Sequence, residues 1–230
     1  MAPKPSTKGE YIETETGNKI ARAAQIVGAK HIVLAGKCVI QQGVVIRGDL
    51  VRPPQSASSS SSSSTTSNSL DPSSAATTAA KKPSQPNSVH LGRYVFISPN
   101  CTLHPPSRSD KGLDGQLHVS YYPLRISDYV FVGEGSNIRA AEIRSNVWIG
   151  KGVTVGNFVV IKENVKVLDG AVLPANSVWA SGCVVAGAPA RVVGELAEAW
   201  GGGGTGVGTS GDELVGVRAR ERWAGVGNKR

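Results

Sequence analysis

From Ile143 to Val185 an apolar residue returns at every sixth position: Ile143, Ile149, Val155, Ile161, Val167, Leu173, Trp179 and Val185. With 40% hydrophobic residues in the chain, so long an unbroken run arises by chance roughly once in fifteen hundred trials. Four residues after the members of this register comes a second small or apolar side chain, at Val147, Val153, Val159, Val165, Ala171, Ser177 and Cys183. Directly before each of these stands a turn residue, Asn146, Gly152, Asn164, Gly170, Asn176 or Gly182, with Phe158 as the exception. Asparagine and glycine accept a left-handed backbone that costs other residues about 1–2 kcal/mol. Helices repeat near 3.6 residues and amphipathic strands at two, so a period of six describes a short strand followed by a corner.

Three such strands close a triangular coil of eighteen residues, and coils stack in parallel at about 4.8 Å with both apolar registers inside. The predicted fold is all-β: a single-stranded left-handed parallel β-helix of hexapeptide repeats, its hand taken from the repeat type as an exception to right-handed crossovers. Upstream, Leu34, Ile40 and Ile46 fit the first register, and Ile26, Ile32, Cys38, Val44 and Leu50 the second, with corners at Gly43 and Asp49. Leu91, Ile97 and Leu103 resume the first register with Val95 and Cys101 in the second, followed by Ile126, Val132 and Ile138 with Val130 and Ser136. The five-residue step from Ile138 to Ile143 reads as a one-residue deletion at a corner, the alternative being a bulge. The pattern accounts for about six to seven coils.

Residues 1–20 are expected to cap one end of the helix, 21–196 to form the β-helix, and 197–230 to form a glycine-rich linker and a short helix. Two segments leave the pattern. Residues 53–88 open with Pro53-Pro54 and contain an unbroken serine run from Ser58 to Ser64, a composition that cannot offset its ordering entropy and is expected to be disordered. Residues 105–125 form a shorter loop whose end, Tyr121-Tyr122-Pro123-Leu124, is apolar enough to pack back on the helix. Between Asp212 and Trp223 a short helix is expected, with Asp212 near its start and Arg218, Arg220 and Arg222 near its end, as the helix dipole favours.

Composition narrows the function. The formal net charge is +8, but the adjacent basic pairs, Lys81-Lys82 and Lys229-Arg230, lack an accompanying aromatic row, so no nucleic-acid partner is expected. The polar start from Met1 to Tyr11 and the lack of any run near ~20 apolar residues argue for a soluble intracellular chain without direct membrane insertion. Cys38, Cys101 and Cys183 all fall on the inward second register and read as buried free thiols.

Two enzyme chemistries use this fold. The segments Ile46-Arg47-Gly48-Asp49, Leu91-Gly92-Arg93 and Leu103-His104 resemble the γ-class carbonic anhydrases, in which the histidine matching His104 is one zinc ligand. The others would lie in Gly133-Glu134-Gly135-Ser136-Asn137-Ile138-Arg139, where glutamate and arginine replace imidazoles. A catalytic zinc needs three protein ligands, and arginine stays protonated, so no metal is expected. His31, His90 and His118 read as surface histidines, and Arg47 and Asp49 as a structural ion pair. The run Ala186-Gly187-Ala188-Pro189-Ala190-Arg191 resembles the close of acetyltransferase β-helices, but it also has a purely structural reading in ending the last coil. Acyl transfer, or an anhydrase-like protein lacking zinc, is the alternative to a scaffold.

The order of Tyr11-Ile12-Glu13-Thr14, Gly17-Asn18-Lys19-Ile20, Ile32-Val33-Leu34-Ala35-Gly36-Lys37, Ile46-Arg47-Gly48-Asp49-Leu50, Tyr122-Pro123-Leu124-Arg125-Ile126-Ser127-Asp128 and Val172-Leu173-Pro174 resembles the dynactin subunit 5 family over about residues 10–196. That resemblance implies a non-catalytic scaffold without cofactor, cytoplasmic and cytoskeleton-associated. It also implies the other dynactin pointed-end subunits as partners: a second β-helical subunit, an actin-related capping subunit and a zinc-containing saddle subunit, with dynein and membrane cargo engaged indirectly. Candidate interface residues are Tyr121, Tyr122 and Arg125, because two tyrosines beside an arginine match the composition of interface anchors, the alternative being that the tyrosines pin the loop to its own helix.

Overall fold

A computed structural model describes residues 10–51, 88–111, 116–196 and 215–226. The serine-rich insert, residues 201–211 of the glycine-rich linker and the tip of the 105–125 loop lie outside them. The described strands of the coils form three sheets, here faces A, B and C, whose neighbours along each face come from successive coils, and a separate two-stranded ribbon makes a fourth sheet. Face A has nine strands, the first and last being antiparallel caps, and faces B and C have six each. This makes six complete coils and the opening strand of a seventh.

Register along each face explains the period of six. The inward column of face A is Ile20, Ile40, Ile97, Val132, Ile149, Val167 and Val185. Face B stacks Ile26, Ile46, Leu103, Ile138, Val155 and Leu173. Face C stacks Leu34, Leu91, Ile126, Ile143, Ile161 and Trp179. Ile40, Leu103, Ile143 and Ile161 are wholly shielded from solvent, and each such side chain contributes about 1.5–3 kcal/mol by leaving water. The second register fills the corners, and its one buried hydroxyl is satisfied: Ser136 Oγ donates to Gly150 O at 2.9 Å and accepts the Val153 N–H at 3.2 Å.

The corners carry the backbone the turn residues imply. Asn146, Gly152, Asn164, Gly170, Asn176 and Gly182 all take positive φ, and so does Phe158, at 59°. Phenylalanine is strained there, so the corner conformation is imposed by the coils on either side. The short step before Ile143 is a shortened corner: Ile143 stacks in register between Ile126 and Ile161, Ala140 is buried, and none of residues 139–142 takes positive φ.

Two sequence readings are corrected at the opening coil. Ile26 stacks on Ile46 and belongs to the first register, because a 3-10 turn at Ala29–His31 lengthens the next corner. The same turn tucks His31 inward to 5% exposure, so it is a buried histidine and not a surface one.

Three additions clothe the prism. Tyr11–Glu13 folds back antiparallel on Lys19–Ala21, and Arg191–Glu195 does the same on Cys183–Ala186, so both ends of face A are covered. Residues from the 105–125 loop form an antiparallel ribbon, Ser107–Lys111 with Leu117–Tyr121. Helix α1, Val215–Gly225, lies outside face A, with the Arg222 guanidinium over the rings of Phe131 and Trp148 at 4.5 and 4.7 Å.

Candidate interaction site

In the segments that resemble the carbonic anhydrases, the strand Val45–Arg47 and the corner after it present Arg47 and Asp49 as a bidentate pair, Nε–Oδ1 and Nη2–Oδ2 both 2.8 Å. The guanidinium holds the Asp49 carboxyl below its ordinary range. One coil on, His104 Nδ1 lies 2.8 Å from Pro105 O. A carbonyl only accepts, so Nδ1 donates this bond. Glu134 and Arg139 are exposed on the following coil, and among the described residues no three histidine, cysteine or acidic side chains are grouped to hold a metal ion. The three thiols are buried and unpaired with one another, and burial pushes the Cys38 thiol up to about 11.

The candidate interface residues separate in space. Tyr121 ends the ribbon and its ring lies 6.1 Å from that of His104. Tyr122, the next residue, packs edge-on against Phe158 at 5.2 Å, which pins the base of the ribbon to the β-helix. Arg125 is exposed on face C, in register between His90 and Glu142.

Alternation along Leu117–Tyr121 places Leu117, Val119 and Tyr121 on one side of the ribbon, with Leu117 and Val119 66% and 48% exposed. Sequence reasoning missed these two leucine and valine positions, although their period of two was legible. It also missed an apolar group at the C-terminal end, where Val178, Val192 and Val193 are 63%, 56% and 59% exposed. There, among the described residues, Val178 lies on the last strand of face C, the cap strand pairs with face A, and Gly187 and Ala190 hydrogen-bond Val172 at the end of face B.

This architecture defines a hexapeptide-repeat, left-handed parallel β-helix protein. A hexapeptide transferase family protein from Anaplasma phagocytophilum shares it with a TM-score of 0.54 at 16% identity, over 90% of this chain and 89% of that one. The family model for dynactin subunit 5 matches residues 83–202, and the chain belongs to that family. Dynactin subunit 5 of Dictyostelium discoideum is 32% identical over 145 residues, 63% of this chain and 52% of that protein, so the chain spans about half the length of that relative. Gamma carbonic anhydrase 1, mitochondrial, of Arabidopsis thaliana is 29% identical over 112 residues, 49% of this chain and 38% of that protein.

Proposed function

We propose that this chain is a non-catalytic scaffold subunit of the dynactin pointed end, acting in the cytoplasm in support of dynein-driven transport and cargo engagement. Family membership supports the assembly. The observation that carries the non-catalytic reading is the anhydrase-like segment itself: one imidazole, its Nδ1 tied to a backbone carbonyl, with glutamate and arginine where further ligands would stand. One histidine does not hold a catalytic zinc.

The C-terminal coil end, where Val178 on the last described strand of face C and Val192 and Val193 on the cap strand of face A are exposed, docks the second β-helical subunit, because a strand edge that no described strand pairs, with exposed apolar residues in the same coil end, is a template for pairing. The ribbon strip ending in Tyr121, together with Arg125 on face C, meets the actin-related capping or saddle subunits, while Tyr122 holds the ribbon in place. Co-expression of the full chain with the other pointed-end subunits tests both surfaces. Stoichiometric co-elution is expected, with Val192→Asp/Val193→Asp losing the second β-helical subunit and Tyr121→Ala/Leu117→Ala lowering recovery of the others at least ten-fold. A homotrimer that binds coenzyme A in calorimetry overturns the scaffold reading, and unchanged recovery overturns the surface concerned.

A further inference from the structure

The outward column of face A reads Lys19, Val39, Phe96, Phe131, Trp148, Lys166 and Val184. Its three aromatics stack in sequence, Phe96 on Phe131 with centroids 5.6 Å apart and Phe131 on Trp148 at 4.1 Å. Neighbouring coils thereby present one continuous electron-rich strip to a cation. Helix α1 supplies that cation through Arg222.

The contacts beside it repeat the logic. Trp223 Nε1 donates to Gly17 O at 2.7 Å, and its ring lies 4.3 Å from Lys19 Nζ and 5.6 Å from Lys37 Nζ. Arg220 lies beside Tyr129, which stacks on Tyr94 at 5.3 Å. The Lys19 ammonium, with a side chain only 7% exposed, donates to Trp223 O at 2.7 Å and to Val226 O. These carbonyls end the helix, where a positive charge is favourable.

Helix α1 depends on this seat. Its 11 residues fall short of the ~12–15 a lone helix needs in water, and they include Gly216 and Gly225. Of its described side chains, residues 219–225, only Ala219 is buried, so among these the ring contacts and charge of Arg222 and Trp223 tie the helix to face A. Residues 197–214 join it to the cap strand Arg191–Glu195. Docking is therefore intramolecular, with an effective concentration on the order of millimolar where a tether spans its site.

We propose that face A is a docking surface for a helix that ends in adjacent arginine and tryptophan, filled in the free chain by α1 acting as a displaceable strap. A partner helix of the same chemistry competes for the seat. Lys19 favours such a helix: its ammonium, 4.0 Å from the Glu13 carboxylate, donates to the two carbonyls that end α1, and a helix C-terminus that replaces α1 offers the same acceptors while its guanidinium covers Phe131 and Trp148.

The probe is a fluorescein-labelled peptide of residues 212–230, titrated by anisotropy against the full chain and against the full chain carrying Arg222→Glu and Trp223→Ala. The altered chain, its own strap disabled, is expected to bind the peptide at least ten-fold tighter than the unaltered chain. A peptide with the same two substitutions binds neither. Equal affinity for both chains, or no binding to the altered one, overturns the proposal. Hydrogen exchange on the unaltered chain gives a second reading that needs no variant. Amides of residues 215–226 and of the turn at 14–19 should exchange together and at least ten-fold faster than those of 147–167, and exchange of all three at one rate overturns the strap.

Discussion

Two glycines in one corner, between Phe131–Val132 and Asn137–Ile138, separate steric need from conformational need. A Cβ on Gly133 would stand 2.5 Å from Gly150 C and O and 2.7 Å from Lys151 N, all backbone atoms of the next coil. Gly135 has open space around it but a φ of 69°. Gly133→Ala must therefore pry two coils apart and is expected to cost ~2–3 kcal/mol, as overpacking does. Gly135→Ala costs only the left-handed strain of about 1 kcal/mol. Urea denaturation of the two variants should show that order, and the reverse order would mean that the coils yield more easily than the backbone. The thiols make a second residue-scale case. Burial raises Cys38 to about 11 and also raises Cys101 and Cys183, so iodoacetamide at pH 8 should leave Cys38 and Cys101 unmodified in the folded chain and label them in denaturant. Since the unfolded thiol loses its proton first, near pH 9, this contribution to stability is complete below that pH and declines as pH climbs toward 11.

Among the elements, the ribbon depends on a corner that is itself strained. Phe158 takes a conformation suited to asparagine and in return gives Tyr122 an edge-on partner. Phe158→Asn relieves ~1–2 kcal/mol of strain and loses an aromatic pair of about 0.5–1.5 kcal/mol, so overall stability should change little while ribbon amides 107–111 and 117–121 exchange faster. Unchanged ribbon exchange would show that Tyr122 is not the anchor. In the sequence Phe158 is visible only as a break in the asparagine and glycine series, and the reason for the break is a side chain thirty-six residues away. Periodicity made the coils from Leu91 to Val185 legible because a column in each sheet must be apolar at one fixed step. It misplaced Ile26 because the inserted turn at Ala29–His31 shifts the phase without changing residue type. The aromatic strip of face A was equally hidden: Phe96, Phe131 and Trp148 each precede an inward residue by one, but the ribbon and the shortened corner remove any fixed spacing. Of the interface candidates, composition singled out Tyr121, Tyr122 and Arg125, and only strand alternation tells which tyrosine turns toward Phe158.

For the whole molecule, stacked coils contact only their neighbours, so the ends are where a parallel β-helix continues or stops. Cap strands cover face A at both ends, while face C finishes at Val178–Trp179 with Val178, Val192 and Val193 exposed nearby. Apolar end surface favours one copy meeting another, and the formal charge of +8 on each copy opposes it. Charge repulsion reaches about 30 Å at 0.01 M salt and about 3 Å at 1 M. The isolated chain should therefore be monomeric by light scattering at low salt and associate as salt rises, because screening removes the repulsion and leaves apolar contact intact. Val192→Asp/Val193→Asp should suppress this association at every salt concentration, whereas Leu117→Ala on the ribbon should not. Association that weakens with salt would point to charged faces, such as the Glu142, Arg144 and Glu163 cluster on face C, and would remove the coil end as the docking surface.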